Sequence, residues 1–459
     1  MVALVNLGYM VSISLFVMGL KLLSSPRTAR RGNLLSALGM LIAVVVTLLE
    51  REIVDFKFII AGLVIGSFLG VLAAVRVKMT AMPQMVGLLN AFGGGASALV
   101  ALAQFLDHPE ITESVFQTTI AITLFIGMIT FTGSVLAFAK LEGWTNERPV
   151  ILPGHRLLNG VMLASLLVLS GLHVSNPSSP GLPILIVIFA VASVLGVTLI
   201  LPIGGADMPV VISLLNSYSG MAAAASGFVI NNYVLIVSGT LVGVSGLILT
   251  NIMCRAMNRS LANVLFGGVG GGEAEGGARG TKKSVKGYTA QDAAMTMGGA
   301  HSVVIVPGYG LAVAQAQYIL HETEEFLRKQ GIRVLFAIHP VAGRMPGHMN
   351  VLLAEANVSY DLLKDIDEVN PEFKNTDVVL VVGANDVINP AAREKGNPLS
   401  GMPILNADEA RSVIIIKRSL KPGFAGVDNP LFYEAKTLMV FGDARETLAE
   451  ILAALKQNV

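Results

Sequence analysis

The chain has 459 residues, more than one ordinary domain holds, and 53% of them are hydrophobic while only 14% are charged. Soluble domains carry about 25% charged residues, so part of this chain is predicted to lie in lipid. The net charge of +1 argues against a nucleic-acid partner. The single cysteine, Cys254, excludes an internal disulfide and gives no sign of a metal cluster.

Nine apolar stretches in the first 260 residues are long enough to cross a membrane, because a spanning helix needs about 20 largely apolar residues. They lie near 2–23, 33–50, 57–75, 84–105, 116–139, 157–173, 183–203, 209–230 and 232–253. The first stretch begins without a charged segment or a cleavage pattern, so we interpret it as a mature helix rather than a signal peptide.

Lysine and arginine are concentrated in alternate loops between these predicted spans. One set of loops holds Lys21, Arg27, Arg30, Arg31, Arg76, Lys78, Lys140, Arg148, Arg156, Arg255 and Arg259, and the other holds Arg51 and Lys57. The positive-inside rule places the richer set in the cytoplasm. We therefore expect a multi-pass protein of the cell inner membrane, with its amino terminus outside and everything after Cys254 in the cytoplasm.

The composition changes after the ninth span. We predict a transmembrane domain over 1–260, a glycine-rich linker over 261–290 and an α/β, Rossmann-like domain over 291–459. Strands are predicted near 302–306, 332–338, 377–382, 412–417 and 437–441, with a weaker one near 358–363, and helices near 310–329, 347–357 and 443–456. This alternation is typical of a parallel, doubly wound sheet.

The turn after the first strand has the pattern of a dinucleotide site. Gly308 permits a tight turn and Gly310 lets backbone approach a pyrophosphate at the start of the next helix. Val313 replaces the third glycine of the usual fingerprint, so an ordinary strand–helix turn is an equal alternative.

Residues at the ends of two later strands favour a phosphorylated ribose. The second strand ends in Ile338-His339-Pro340, without the carboxylate that binds the ribose 2′-OH of NAD. Lys417-Arg418-Ser419 ends another strand and suits a 2′-phosphate. A solvated basic strand end is the alternative.

Three further loops are candidates for cofactor contacts. The GRMPG loop at 343–347 offers an arginine for a phosphate, and the GAND turn at 383–386 could orient a nicotinamide amide or be a turn with a helix cap. The GFAG loop at 423–426 could be a mobile cover or a simple connection.

Ionisable residues are absent near the midplane of the predicted spans. Asp207, at a helix boundary, is either a gate or a helix N-cap. Polar side chains one to two turns further, such as Asn216 and Ser217, are either part of a water path or ordinary hydrogen bonds between helices. His155 and His173, at helix ends, are interpreted as interfacial.

Several long strings together resemble the beta subunit of proton-translocating NAD(P) transhydrogenase. They are HPVAGRMPGHMNVLLAEA at 339–356, GAND at 383–386, KRS at 417–419, IGGADMPVVISLLNSYSG at 203–220 and CRAMNRS at 254–260. The resemblance implies NADP(H) on the carboxyl-terminal domain. It also implies NAD(H) on a partner alpha subunit, which supplies additional transmembrane helices, and a dimer of the whole complex.

The resemblance also implies roles for individual residues. The pyrophosphate region would meet Gly308, Tyr309, Gly310 and Arg344, the 2′-phosphate would meet 417–419, and Asp386 would lie near the nicotinamide. The full predicted cofactor-binding set is Gly308, Tyr309, Gly310, Ala312, Val313, Ala342, Gly343, Arg344, Met345, Pro346, Gly347, Gly383, Ala384, Asn385, Asp386, Lys417, Arg418, Ser419, Gly423, Phe424, Ala425, Gly426 and Asp443. No catalytic acid, nucleophile or metal is expected, because the resemblance implies that hydride would pass directly between two nicotinamide rings.

The predicted proton path or gate consists of Asn90, Asp207, Asn216 and Arg259. Several members of the family carry histidine where this chain has Asn90, and asparagine cannot titrate near neutral pH. We therefore expect the ionisable relay on the partner's membrane helices. Arg259 either senses domain motion or contacts a lipid headgroup.

Two other functions compete with a transhydrogenase subunit. A transporter regulated by an NADP-sensing domain would usually show paired broken helices or inverted repeats, and no convincing pair is present. A membrane dehydrogenase that feeds quinone would need an intermediate carrier, and the sequence shows no flavin or iron–sulfur signature.

Overall fold

A computed structural model of the chain describes residues 2–50, 56–78, 81–145, 149–175, 181–205, 207–258, 260–266 and 285–457. The predictions for Arg259, for the loop cations Arg51 and Arg148, and for most of the glycine-rich linker fall outside these residues. The chain forms two compact units. One, the helical unit, contains Met1–Ile203 and Val211–Thr250, and the other contains Gly204–Val210 and Asn251–Val459.

Nine helices in the described part of the chain are long and apolar enough to cross a membrane, as the sequence predicts. They are α1 Val2–Leu23, α2 Pro26–Glu50, α3 Lys57–Arg76, α4 Met82–Asp107, α5 Ser114–Leu141, α6 His155–Ser175, α7 Gly181–Ile200, α8 Met208–Val229 and α9 Tyr233–Ala256. Helix α2 begins well before the predicted position 33, because a proline such as Pro26 is favourable in the first turn of a helix. Arg30 and Arg31 therefore lie in α2 rather than in a loop.

Glycines allow the helices of this unit to approach closely. A Cβ atom on Gly94 of α4 would lie 2.7 Å from the carbonyl oxygen of Gly127 in α5, and one on Gly220 of α8 would lie 2.4 Å from the nitrogen of Gly243 in α9. Without a hydrophobic driving force between helices in lipid, such close packing is a main source of helix association.

Lys140 differs from its prediction as a loop cation. It lies in the last turn of α5, its side chain is only 1% exposed, and its ammonium group donates hydrogen bonds to backbone carbonyls at the end of α7. The sequence could not show this, because the carbonyls lie at the last residue of α7 and just beyond it, about 60 residues away in the chain.

Residues 285–457, which we call the α/β region, contain a six-stranded parallel sheet in the order β3-β2-β1-β4-β5-β6. The strands are β1 Ser302–Pro307, β2 Arg333–Ile338, β3 Leu363–Asp365, β4 Val378–Val382, β5 Ser412–Lys417 and β6 Thr437–Phe441. This is the order of a doubly wound dinucleotide-binding fold, in which the chain reverses its direction of winding between β1 and β4. The predicted fold class is therefore confirmed.

One strand lies later than predicted. Residues 360–362 form a 3₁₀ turn, and β3 follows with only three residues paired to β2. A short apolar run at a sheet edge carries too little periodicity to fix its boundaries from sequence.

The remaining helices are α10 Leu261–Phe266, α11 Ala290–Gly298, α12 Tyr309–Val313, α13 Gln317–Lys329, α14 His348–Glu355, α15 Ile366–Val369 and α16 Ala444–Gln457. The predicted single helix over 310–329 is wrong, because the chain breaks at Gln315, which has a φ of 50°. Helix α11 was not predicted, although Thr289 and Asp292 form a capping box at its start that is visible in the sequence.

His339 ties the end of β2 to a distant loop. Its side chain is buried, its Nε2 bonds to the Pro403 carbonyl oxygen at 2.8 Å, and its Nδ1 accepts the Val341 N–H at 3.2 Å. These partners require a neutral ring that carries its proton on Nε2. Burial lowers the pKa of His339 from 6.5 to about 4, and the Pro403 bond opposes this shift.

We expect the free energy of unfolding of the α/β region to fall by about 3 kcal/mol between pH 6.5 and pH 4 because of His339. The neutral imidazole stabilises the fold fully above the unfolded-state pKa and loses this contribution as the pH falls towards the folded-state value. Pulse proteolysis of the full chain in urea measures this energy. His339→Gln keeps an N–H donor but does not titrate, so its pH dependence should be shallower; equal slopes would contradict the assignment.

Candidate functional site

A cavity of about 400 Å³ lies at the carboxyl edge of the sheet, where the turns after β1, β4, β5 and β6 meet. The predicted residues that line it are Gly308, Tyr309, Gly310, Ala342, Gly343, Gly383, Ala384, Asn385, Asp386, Lys417, Arg418, Ser419, Gly423, Phe424, Ala425 and Asp443. In doubly wound sheets, ligands bind at this edge, where the winding reverses. The predicted lining residues, from Gly308 to Asp443, lie up to 135 positions apart in the sequence and thus meet at one place.

Three glycines bring the turns after β1 and β4 into backbone contact. A Cβ atom on Gly308 would lie 2.4 Å from the Gly383 carbonyl oxygen, and one on Gly383 would lie 2.4 Å from the Cα of Gly310. Gly383 also has a φ of 67°, which side chains disfavour. The Gly310 N–H donates to the Gly383 oxygen at 3.0 Å. Only glycines fit this arrangement, and they leave bare backbone at the cavity wall.

The helix after the first turn is shorter than predicted. Helix α12 ends at Val313, whose side chain is exposed, while Ala312 is fully buried in the core. Neither residue lines the cavity. The structure therefore corrects the predicted length of the helix, and a five-residue helix has little dipole to offer an anion. The glycine backbone itself is the remaining feature of this wall, and the pyrophosphate position stays a prediction.

The Lys417 side chain is held by its neighbours. Its ammonium group donates to the Lys421 carbonyl oxygen and lies 4.9 Å from the Phe432 ring centre. In the orientation that satisfies its neighbours, the Asn385 amide oxygen accepts from Lys417 at 2.9 Å. Burial lowers the pKa of Lys417, and the Asp386 carboxylate opposes this shift.

Lys417, Arg418 and Ser419 together form the basic corner of the cavity, which we call the Lys417 corner. Arg418 and Ser419 are both exposed. Lys417 ends β5 and Arg418 follows it directly, so the strand delivers two cations to the same edge. A guanidinium group in water keeps all its donors available for a phosphate.

The Asp386 carboxylate holds the 423–426 loop. Its Oδ2 accepts the Ala425 N–H at 3.0 Å, and a Cβ atom on Gly423 would lie 2.3 Å from its Oδ1. Oδ1 is buried and has no hydrogen-bond partner. Burial raises the pKa of Asp386, while the N–H groups of the loop and the Lys417 ammonium oppose the rise. One oxygen of the carboxylate therefore lies buried beside Gly423 without a hydrogen-bond partner.

Arg344 does not line the cavity but contacts a residue that does. Its guanidinium carbon lies 4.6 Å from the Tyr309 ring centre, and that ring lies 6.2 Å from the Phe424 ring. His348 Nδ1 accepts the backbone N–H of Arg344 at 3.1 Å. Burial, aided by the positive charge of Arg344, lowers the pKa of His348 to about 4.

The other predicted residues outside the cavity belong to two turns. Met345, Pro346 and Gly347 lead into α14, where Met345 is buried and Gly347 has a φ of 68°. Gly426 ends the 423–426 loop with a φ of 70°. These positions shape the loops and are not part of the cavity wall.

Sequence reasoning missed part of the wall. The missed lining residues include Ala314, Val341, Val387, Pro398, Leu399, Met402, Ile416, Lys421, Pro422, Gly442 and Ala444. Lys421, Pro422 and Gly442 adjoin predicted residues, so extension of those motifs would have found them. Leu399 and Met402 lie in a segment without any motif, and only the fold brings them to the site.

The predicted proton-path residues of the helical unit are Asn90 and Asn216. The Asn90 amide is buried in α4 and donates to the Ile212 carbonyl oxygen of α8 at 3.2 Å. Asn216 is half-buried in α8, and the neighbouring Ser217 hydroxyl donates to the Gly243 oxygen of α9 at 2.6 Å. Asp207, in the other unit, is buried and immediately precedes α8.

Comparison with known proteins agrees with these features. A family model described as NAD(P) transhydrogenase beta subunit matches residues 5–454. The chain is 46% identical over 460 residues to an NAD(P) transhydrogenase subunit beta of Rhodospirillum rubrum, with 98% of each chain covered. A protein of the same name from a culture-collection strain of Rhodospirillum rubrum matches with the same identity and coverage. The chain therefore belongs to the family of NAD(P) transhydrogenase beta subunits.

Proposed function

We propose that the cavity at the carboxyl edge of the sheet binds NADP(H), and that this chain exchanges hydride between NADP(H) and NAD(H) held by a partner alpha subunit. Family membership makes the chain a subunit of a membrane transhydrogenase and decides against the transporter alternative. The observation that carries the proposal is the meeting of a glycine-lined backbone wall with the Lys417-Arg418 corner in one cavity.

The residues present fit a dinucleotide with a phosphorylated ribose. Gly308 and Gly383 keep one wall free of side chains, so backbone can approach a pyrophosphate. Lys417 and Arg418 supply two positive charges for the 2′-phosphate. The end of β2 offers no carboxylate for a ribose 2′-OH, and the His339 ring nitrogens are both occupied by backbone groups. This favours NADP(H) over NAD(H).

Two side chains near the Lys417 corner would rearrange or orient when the cofactor binds. A phosphate is a stronger acceptor for the Lys417 ammonium than the neutral carbonyl oxygen that it contacts now. The unpaired Oδ1 of Asp386 suits the amide N–H of a nicotinamide group. When bound, the nicotinamide ring gives or accepts the hydride, and the protein supplies position and electrostatics.

The partner assignments rest on the family. We propose that an alpha subunit holds NAD(H), supplies additional transmembrane helices that include the ionisable proton relay, and assembles with this chain into a dimer of the whole complex. The name "subunit beta" of the relatives supports the existence of such a partner.

Proton flow through the helices would bias an otherwise balanced exchange. One elementary charge moving across 100 mV is worth about 2.3 kcal/mol, which shifts an equilibrium ratio by more than tenfold. The segregation of loop cations supports an inner-membrane chain with its amino terminus outside and the α/β region in the cytoplasm. Inward proton flow would then keep NADPH abundant.

Vesicles that contain the chain and its partner test the function directly. With a proton gradient, reduction of an NAD analogue by NADPH should change in rate when an uncoupler is added. If vesicles with both subunits show no reduction of the NAD analogue by NADPH, the proposed exchange is refuted. If the uncoupler leaves the rate of that reduction unchanged, the proposed coupling to protons is refuted.

Lys417→Ala and Arg418→Ala should each weaken NADPH binding to the full chain by about tenfold or more, because each removes a charge-assisted hydrogen bond. Calorimetric titration of the detergent-solubilised chain measures the affinities. Lys456→Ala removes an exposed cation from the last turn of α16 and serves as the control. Binding of NADH should change little in all three variants. An equal loss for both dinucleotides would show that the two cations do not read the 2′-phosphate.

Gly308→Ala should abolish NADPH binding, because the new methyl group would meet backbone atoms of Gly383 and Ala384 at 2.4 and 2.5 Å. The turns after β1 and β4 would have to separate. Gly298→Ala, whose methyl group meets only the Leu455 side chain at 3.6 Å, is the matched control. If Gly308→Ala binds NADPH normally, the backbone contact is not needed for the site.

Asn90→Leu should lower uncoupler-sensitive exchange in vesicles by about tenfold, since leucine cannot pass hydrogen bonds to a proton relay. NADPH binding should be unaffected. Asn159→Leu changes another buried asparagine, which donates to the Thr198 carbonyl oxygen, and controls for simple loss of packing. Normal coupled exchange in Asn90→Leu would place the proton path elsewhere.

A further inference from the structure

We infer that Lys140 is a positioning residue of the helical unit: its ammonium group caps the carboxyl end of α7 and thereby fixes the point from which the chain runs on to α8. This inference rests on the proposed function, because α8 carries Asn216 and the Ile212 carbonyl that Asn90 contacts. The sequence pattern counts Lys140 only among the cytoplasmic loop cations, and the family comparison assigns it no role.

The ammonium group has a complete set of partners. It donates to the carbonyl oxygens of Ile200 at 3.3 Å, Leu201 at 2.6 Å and Ile203 at 2.8 Å. A lysine has three N–H donors, so every donor finds an acceptor. The side chain is 1% exposed, and among the described residues no carboxylate forms an ion pair with it. Backbone carbonyls alone therefore stabilise a buried charge.

The geometry of the two helices explains why a cation is needed there. Thr132 in α5 donates to the Ser193 oxygen of α7 at 2.8 Å, and Lys140, two turns later in α5, reaches the end of α7. The two helices thus run in the same direction and end on the same side. Their carboxyl ends carry partial negative charge and unpaired carbonyls, and a lysine at this point satisfies both.

The capped segment controls where the next helix starts. The Leu201 oxygen also accepts the Val150 N–H at 3.2 Å, so both Lys140 and the segment before α6 hold the same carbonyl group. Only residues 204–207 separate the capped segment from the start of α8 at Met208. A frayed end of α7 would therefore leave the position of α8 loosely defined, and with it the carbonyl that holds Asn90.

Lys140→Ala with chemical rescue tests the inference. Alanine removes the part of the side chain that corresponds to propylammonium, so added propylammonium can refill the space with three N–H donors. Amide hydrogen exchange of the full chain should be faster over 197–203 in the variant, where the Leu201 N–H donates to the Val197 oxygen. In vesicles with the partner, coupled exchange should fall by about tenfold, and propylammonium should restore both readouts.

Three controls separate the cap from general damage. Tetramethylammonium, which has no N–H group, should not rescue either readout. Lys21→Ala removes an exposed lysine from the last turn of α1 and should leave both unchanged. Lys140→Met fills the space without donors, should show both defects, and should not respond to propylammonium; it carries the test if the alanine variant does not accumulate.

Each outcome decides a different claim. Normal amide exchange in Lys140→Ala and Lys140→Met would show that the cap does not hold α7. Faster amide exchange with normal coupled activity would make the cap purely structural and overturn the positioning role. If the parent complex itself shows no uncoupler-sensitive exchange, the proposed proton coupling fails, whereas the amide exchange of the variants still decides whether Lys140 is a cap.

Discussion

The backbone contact between the turns after β1 and β4 is the constraint on which the candidate site depends. Gly308, Gly310 and Gly383 meet with no room for a Cβ atom, and this contact lies where the winding of the sheet reverses. It sets one wall of the cavity, and Asp386, three residues after Gly383, lies near Lys417 at the end of the neighbouring strand. The 423–426 loop is then held in place by the same carboxylate.

The sequence predicts much of this arrangement because the motifs sit at strand ends. Parallel strands deliver their carboxyl ends to one edge, so GYG, GAND and KRS had to meet if the strands were correctly identified. All nine spans could also be predicted from the sequence, since length and hydropathy alone define them. The order of the strands in the sheet could not be predicted from the sequence.

What the sequence could not show depends on contacts between distant parts of the chain. The break at Gln315 leaves α12 with five residues. Nothing in the run of residues from Gly310 to Gln317 predicts that Gln315 adopts a left-handed backbone conformation. In the sequence, Lys140 cannot be told from a loop cation, because its hydrogen bonds depend on the packing of α7 beside α5. Leu399 and Met402 line the cavity because the fold places their loop, which has no recognisable motif, at the edge of the sheet.

The most direct test of the account is a cryo-electron microscopy map of the complex with NADPH. We predict density for the dinucleotide along the carboxyl edge of the sheet, with its 2′-phosphate against Lys417 and Arg418. A map in which the dinucleotide lies away from these two cations, or in which NADH at the same concentration fills the cavity equally well, would contradict the account.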